Sequence, residues 1–228
     1  MSLINQRNDL GGPSLMLGMQ PSLKDKLTGV YQAMERKFKD VSSPVVTFTG
    51  ASEDAGSSTL AVAFASTVAA QLDRNVALLM SDDSTLEGLG LSVGRSRHTL
   101  SDVAQEKCQL SDAIAATAVE NLGCARLAPE GVPVASLSSS PSFEATVTAL
   151  RQNFDLLIFD APPFSSSVDA LLLASRSDGV VLVVEADKTR WQVAENIKER
   201  MQEQGSEILG VILNKRKFYI PRRIYTKL

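Results

Sequence analysis

The chain has 228 residues, 44% hydrophobic and 21% charged, which suits one large α/β domain and excludes a low-complexity or disordered polymer. Its net charge of −3 is unevenly spread: from Ile208 onward there are six cations and no acid, which leaves −9 on the preceding 207 residues. One histidine, His98, excludes a multi-histidine metal centre, Cys108 and Cys124 make neither a disulfide framework nor a metal motif, and no apolar run approaches the roughly 18 residues of a membrane span. A reduced, cytoplasmic setting is expected, and a basic tail on an acidic body points to an acidic partner surface, phospholipid head groups or a neighbouring subunit.

Residues 1–21 are rich in Gly, Pro, Ser and Asn, lack an apolar leader core, and are expected to be disordered or draped over the surface. From Ser22 to Asp40, Leu23, Leu27, Val30, Tyr31, Met34 and Phe38 recur at helical spacing, with Ser22 as the expected N-cap. Apolar strands then alternate with helices: strand Val45–Phe48, helix Ser58–Leu72, strand Val76–Met80, a weaker strand Leu122–Leu127, and helix Ser142–Asn153. Strand Leu156–Phe159, helix Val168–Ser175, strand Val180–Val184, helix Arg190–Gln204 and strand Ile208–Leu213 complete the pattern. Residues 84–120 read as loops and short helices. Short apolar strands between helices predict a doubly wound, mostly parallel sheet covered on both faces. The expected organisation is one domain over 22–214 and a basic, aromatic tail over 215–228.

The segment VVTFTGASEDAGSSTL, Val45 to Leu60, has the order strand, glycine turn, helix. A phosphate-binding loop has that order, with G-x-x-x-x-G-K-[ST] at the turn, because successive N–H groups at a helix N-terminus surround phosphate. Here Gly50, Gly56, Ser58 and Thr59 keep the backbone and hydroxyl parts, whereas Ser57 stands where the lysine would be. Glu53 and Asp54 add negative charge to the loop. The segment is therefore either a weak nucleotide site or a turn retained for the fold.

Further along, Leu156–Phe159 ends in Asp160 before Ala161-Pro162-Pro163, the pattern of a Walker B strand whose aspartate orients magnesium, or of an aspartate that caps the next turn. Asp82 or Asp83, after the second strand, is a candidate second carboxylate for magnesium or catalysis, or a turn residue. Asn214, at the end of the last strand, is a candidate for pairing with a purine edge, or a polar strand terminus. The tail KRKFYIPRRIYTKL mixes Arg222 and Arg223 with aromatic residues and suits a membrane surface, a partner groove or the chain's own acidic body. No nucleic-acid motif is present, Trp191 reads as a helix-packing or partner-contact residue, and no role is assigned to His98.

Together these segments resemble the cytoplasmic domain of bacterial tyrosine kinases (BY-kinases), in the MinD/ParA-like group of P-loop ATPases. The resemblance runs from about Leu23 to Leu228 and is most specific from Asp155 to Thr189. It implies a P-loop NTPase fold, ATP or ADP with magnesium as possible ligands, and a place in capsule or exopolysaccharide assembly. It also implies a membrane polysaccharide co-polymerase or a kinase paralogue as partner, possible homo-oligomers, no nucleic acid, and a location at the inner membrane face through that partner. By the same resemblance Gly50, Gly56, Ser57, Ser58, Thr59 and Asn214 are nucleotide-binding positions. Ser58 and Asp160 are the magnesium positions, Asp160 and Asp82 the catalytic carboxylates, and Tyr219 and Tyr225 the phospho-acceptors.

The departures from the family pattern fall on Ser57 for the lysine and on Asp54 and Glu53 for loop glycine and proline. Met80 takes the place of a second-strand aspartate, and Gly29, Gln32 and Glu35 that of a charged ring-assembly motif. The expectation is a non-catalytic or weakly nucleotide-binding relative acting as an interaction module. The alternatives are an active autokinase with its cation supplied in trans or from the tail, by Arg216 or Arg222, and a positioning protein of the MinD/ParA kind, whose extra loop lysine would fall on Ser52.

Overall fold

The computed structural model describes residues 21–82, 96, 98–134, 137 and 141–216. Segment 1–20, Asp83 and the tail from 217, with Tyr219, Arg222, Arg223 and Tyr225, lie outside the described residues.

Helix α1 (Pro21–Lys37) leads into strand β1 (Val45–Gly50), and one 3-10 turn (Glu53–Ala55) joins β1 to helix α2 (Ser57–Leu72). Strand β2 (Val76–Met80), the short helices α3 (Leu100–Ala104) and α4 (Leu110–Ala113), and strands β3 (Ala115–Ala116) and β4 (Leu122–Arg126) follow. Helix α5 (Pro141–Arg151), strand β5 (Leu156–Asp160), helix α6 (Asp169–Ser175), strand β6 (Gly179–Glu185), helix α7 (Trp191–Glu203) and strand β7 (Ile208–Asn214) complete the order. Two expectations are corrected: α1 begins at Pro21, so Ser22 lies inside the helix rather than capping it, and the stretch before β4 contributes an edge strand.

The sheet has seven strands in the order β3-β4-β2-β5-β1-β6-β7, parallel except for the antiparallel β3–β4 pair. Alternation within each strand divides the core between the two faces. Val46, Phe48, Leu78, Met80 and Ile158 face α1 and α2, where Phe48 meets Phe64 at 5.3 Å between ring centroids. Val45, Ala77, Leu79, Leu157 and Phe159 pack with Phe143, Val147 and Leu150 of α5, and Val180, Leu182 and Val184 pack with Ile197 and Met201 of α7. β1, β2, β5 and β6 are buried along their whole length, while the edge strand β7 leaves Val211 and Leu213 exposed.

The stretch Glu53–Leu72 is long and apolar enough by composition to cross a membrane, but 67% of its apolar window is buried inside the fold, as in a core helix. At the opposite end of the sheet, Asp178 Oδ2 accepts from Val45 N and from Arg151 Nη2, both at 2.7 Å, and Arg151 Nη1 donates to Ser43 O at 2.6 Å. This network fixes where β1 enters and hence where its far end, Gly50, emerges.

Candidate phosphate-binding site

Parallel strands bring the carboxyl ends of β1, β2, β5, β6 and β7 to one edge, the place where open α/β sheets bind ligands. The loop after β1 is rooted there by Ala51 N donating to Val183 O at 2.8 Å and by Phe164 N donating to Gly50 O at 2.9 Å. It then closes tightly: a Cβ at Gly50 would lie 2.8 Å from Ser52 O and 3.2 Å from Ser57 Oγ. Gly56 takes φ +80°, a left-handed conformation that strains residues with a Cβ, and turns the chain into α2. No side chain caps α2, and its first turn carries no acid. Its opening N–H groups and positive dipole end are therefore those of an anion site.

Ser57 is buried at 6% exposure, and its hydroxyl turns back under the loop toward Gly50. A P-loop lysine instead carries its charge to the β and γ phosphates. Ala55 is fully buried against Leu60 and Val183, while Glu53, Asp54 and Thr59 are exposed. A carboxylate about 4 Å from a phosphate would cost from about 1 kcal/mol upward per charge pair, depending on the dielectric.

Beneath α2, Ser58 lies close to the Asp160 carboxylate, which is 3% exposed. Burial pushes the Asp160 carboxyl up to about 7; the neighbouring Ser58 hydroxyl opposes the shift and the nearby Asp82 charge adds to it. Asp160 Oδ1 is buried with no hydrogen-bond partner. A serine hydroxyl and a carboxylate with an orphaned oxygen fit magnesium, which takes few protein ligands and keeps its waters. Among the described residues no cluster of three or more His, Cys, Asp or Glu side chains suits a metal. Ser58 and Asp82 both lie near Asp160, while Met80, at the other expected acidic position, is buried in the core.

Asn214 has a task that sequence reasoning did not foresee. Its Nδ2 donates to Ala55 O at 2.9 Å, pinning the loop from the end of β7. A Cβ at Gly56 would lie only 2.7 Å from the same nitrogen.

A second unforeseen cluster lies beside it. Glu185, at the end of β6 and 6% exposed, receives Lys188 Nζ at 2.9 Å, with Lys215 Nζ at 3.9 Å. The hydrogen bond to Glu185 raises the Lys188 pKa, helped by Asp54 across the loop. The Lys215 stem passes Gly56, with Cε 4.0 Å from the position of an added Cβ. The available signal was the carboxyl-end position of Glu185 with a lysine three residues on. Trp191 is 68% exposed at the start of α7, so the helix-packing reading does not hold for it; His98 is exposed near Ser96.

No protein-family model matches the chain. It is 31% identical over 184 residues to the tyrosine-protein kinase CpsD of Streptococcus agalactiae, covering 78% of each chain. Among solved structures it superimposes on the chimerical protein CapA2B2 with a TM-score of 0.77 at 23% identity, covering 90% of each chain. It also superimposes on the septum site-determining protein MinD from Pyrococcus horikoshii, complexed with Mg-ADP, with a TM-score of 0.60 at 20% identity, covering 81% of this chain and 76% of that one. The fold is that of the P-loop NTPases.

Proposed function

The chain belongs to the family of bacterial tyrosine-protein kinases, and we propose that it is a non-catalytic or weakly nucleotide-binding member that acts as an interaction module. Its place is in exopolysaccharide or capsule biosynthesis or export. It docks on the cytoplasmic end of a membrane polysaccharide co-polymerase or on an active kinase paralogue. The observation that carries this reading is Ser57, buried under the loop at 6% exposure where a lysine would reach the phosphates. Two acids on the same loop, Glu53 and Asp54, are exposed toward solvent. A site built this way lacks the loop lysine whose fixed charge lowers the barrier to phosphoryl transfer, which rests almost wholly on positioning and electrostatics.

The test is phosphate transfer from labelled ATP with magnesium, using the purified protein alone. No label on the protein or on a tyrosine copolymer supports the reading, and incorporation that vanishes in Asp160→Asn overturns it. For the docking arm, a chain truncated after Arg216 removes most of the basic tail while keeping Lys215 beside Glu185. Loss of co-purification with the membrane fraction supports the tail as the contact, and unchanged fractionation refutes it.

The second reading, an active autokinase, is favoured by one observation: Lys188 and Lys215 stand beside the loop in the same chain. Tyr219 or Tyr225 would then be the acceptor.

A further inference from the structure

We propose that Lys215, with Lys188 behind it, supplies in cis the positive charge that Ser57 does not, so that the loop holds the phosphate chain of a nucleoside diphosphate or triphosphate. The inference rests on the weak-binding arm of the function proposed above and names the residues responsible for it.

Four observations converge. The loop presents an uncapped helix of 16 residues whose first turn bears no acid. Against that turn, near Ser58, lies Asp160, 3% exposed, with one carboxylate oxygen lacking any partner. An orphaned buried oxygen beside a free helix N-terminus is the arrangement expected of a site that takes a cation and an anion together. The Lys215 stem runs past Gly56, the residue that opens the helix, at 4.0 Å from an added Cβ. Lastly, two ammonium groups share one nearly buried carboxylate, Glu185, which needs only one of them as its counter-ion.

Lysine is a point charge on a flexible stem, so it need not come from the usual position to act on phosphate. Lys215 is held loosely, at 3.9 Å from Glu185 and with 45% of its side chain exposed, so it is free to swing toward an incoming anion. Lys188, at 2.9 Å, keeps Glu185 neutralised when it does. Asp54 opposes the anion, and its field is felt at Lys188.

The experiment is fluorescence anisotropy of methylanthraniloyl-ADP with magnesium, titrated with the full chain, with inorganic tripolyphosphate as competitor. Lys215→Gln is expected to weaken binding at least tenfold, Lys215→Arg to restore most of it, and Asp54→Asn to tighten it several-fold. Tripolyphosphate should displace the probe. Unchanged thermal unfolding of Lys215→Gln shows that the loss is not one of folding. Equal affinity of the parent chain and Lys215→Gln overturns the inference, and so does a parent chain that binds no probe. Either result leaves the interaction module standing. Conversely, phosphate incorporation would overturn the non-catalytic reading while the Lys215 comparison still decides the source of the charge.

Discussion

Asn214 Nδ2 donates to Ala55 O at 2.9 Å, a contact between residues 159 apart that ties the end of the last strand to the loop after the first. The bond ends on the turn just before Gly56, so β7 and not the loop's own composition sets how the helix entrance is held. Asn214→Ala is expected to cost about 1 kcal/mol, the usual net worth of such a hydrogen bond. That should lower the melting temperature by about 2–4 °C for a chain of this size. Faster amide exchange confined to 52–58 would locate the effect, and an unchanged exchange pattern would show that the loop holds itself.

Ser57→Lys tests whether the missing charge limits nucleotide binding. The serine hydroxyl lies 3.2 Å from the position of a Cβ on Gly50, so the longer side chain has no room beneath the loop. It must cross the outer face instead. Affinity for Mg-ADP by calorimetry should then rise at least tenfold, about 1.4 kcal/mol. In that background Lys215→Gln should matter less, because two groups that serve one phosphate chain couple rather than add. Independent effects of the two changes would place them at separate sites.

The sheet was legible because its central strands are short apolar runs with no competing period: Val76–Met80 lies where the sequence placed it. Boundaries slipped where tertiary contacts decide them. Pro21 enters α1 ahead of the expected cap at Ser22, and Thr49-Gly50 join β1 because they pair with Leu182-Val183 on β6. β3 is two alanines, Ala115–Ala116, paired with Gly123 and Cys124, and no propensity marks it. At the site, Ser58 and Asp160 were readable as a motif because they serve one short loop and one strand end. Lys188, Lys215 and Glu185 were not, since only the pairing of β6 with β7 brings them beside Gly56.

Asp178 anchors the start of β1 by accepting from both Val45 N and Arg151 Nη2 at 2.7 Å. Asp178→Ala leaves a strand N–H and a guanidinium short of their acceptor in a partly buried place. A loss of about 2 kcal/mol is expected from hydrogen bonds to a charged group. Urea unfolding should show an earlier midpoint with the slope unchanged. A change in slope would mean that β1 had lost its place in the native state rather than merely one anchor.

Asp160 makes stability depend on pH in the direction opposite to most carboxylates. Its carboxyl, pushed up to about 7 from an ordinary 3.8 by burial, holds its proton in the folded chain over a range where the unfolded chain has released it. The folded state therefore binds more protons between about pH 4 and 7, and stability falls as pH rises through that window. Above it the full cost of a buried charge is present, an upper limit of about 4 kcal/mol from the size of the shift. Asp160→Asn removes the charge and keeps an acceptor for Ser58. In magnesium-free buffer it should be more stable than the parent chain at pH 8 and close to it at pH 5, measured by urea unfolding. Adding magnesium at pH 8 should stabilise the parent and leave Asp160→Asn unmoved, because only the ionised carboxylate draws the cation against Ser58. A parent chain whose stability rises from pH 5 to 8 would mean that Asp160 is ionised throughout and that its orphaned oxygen is satisfied in solution.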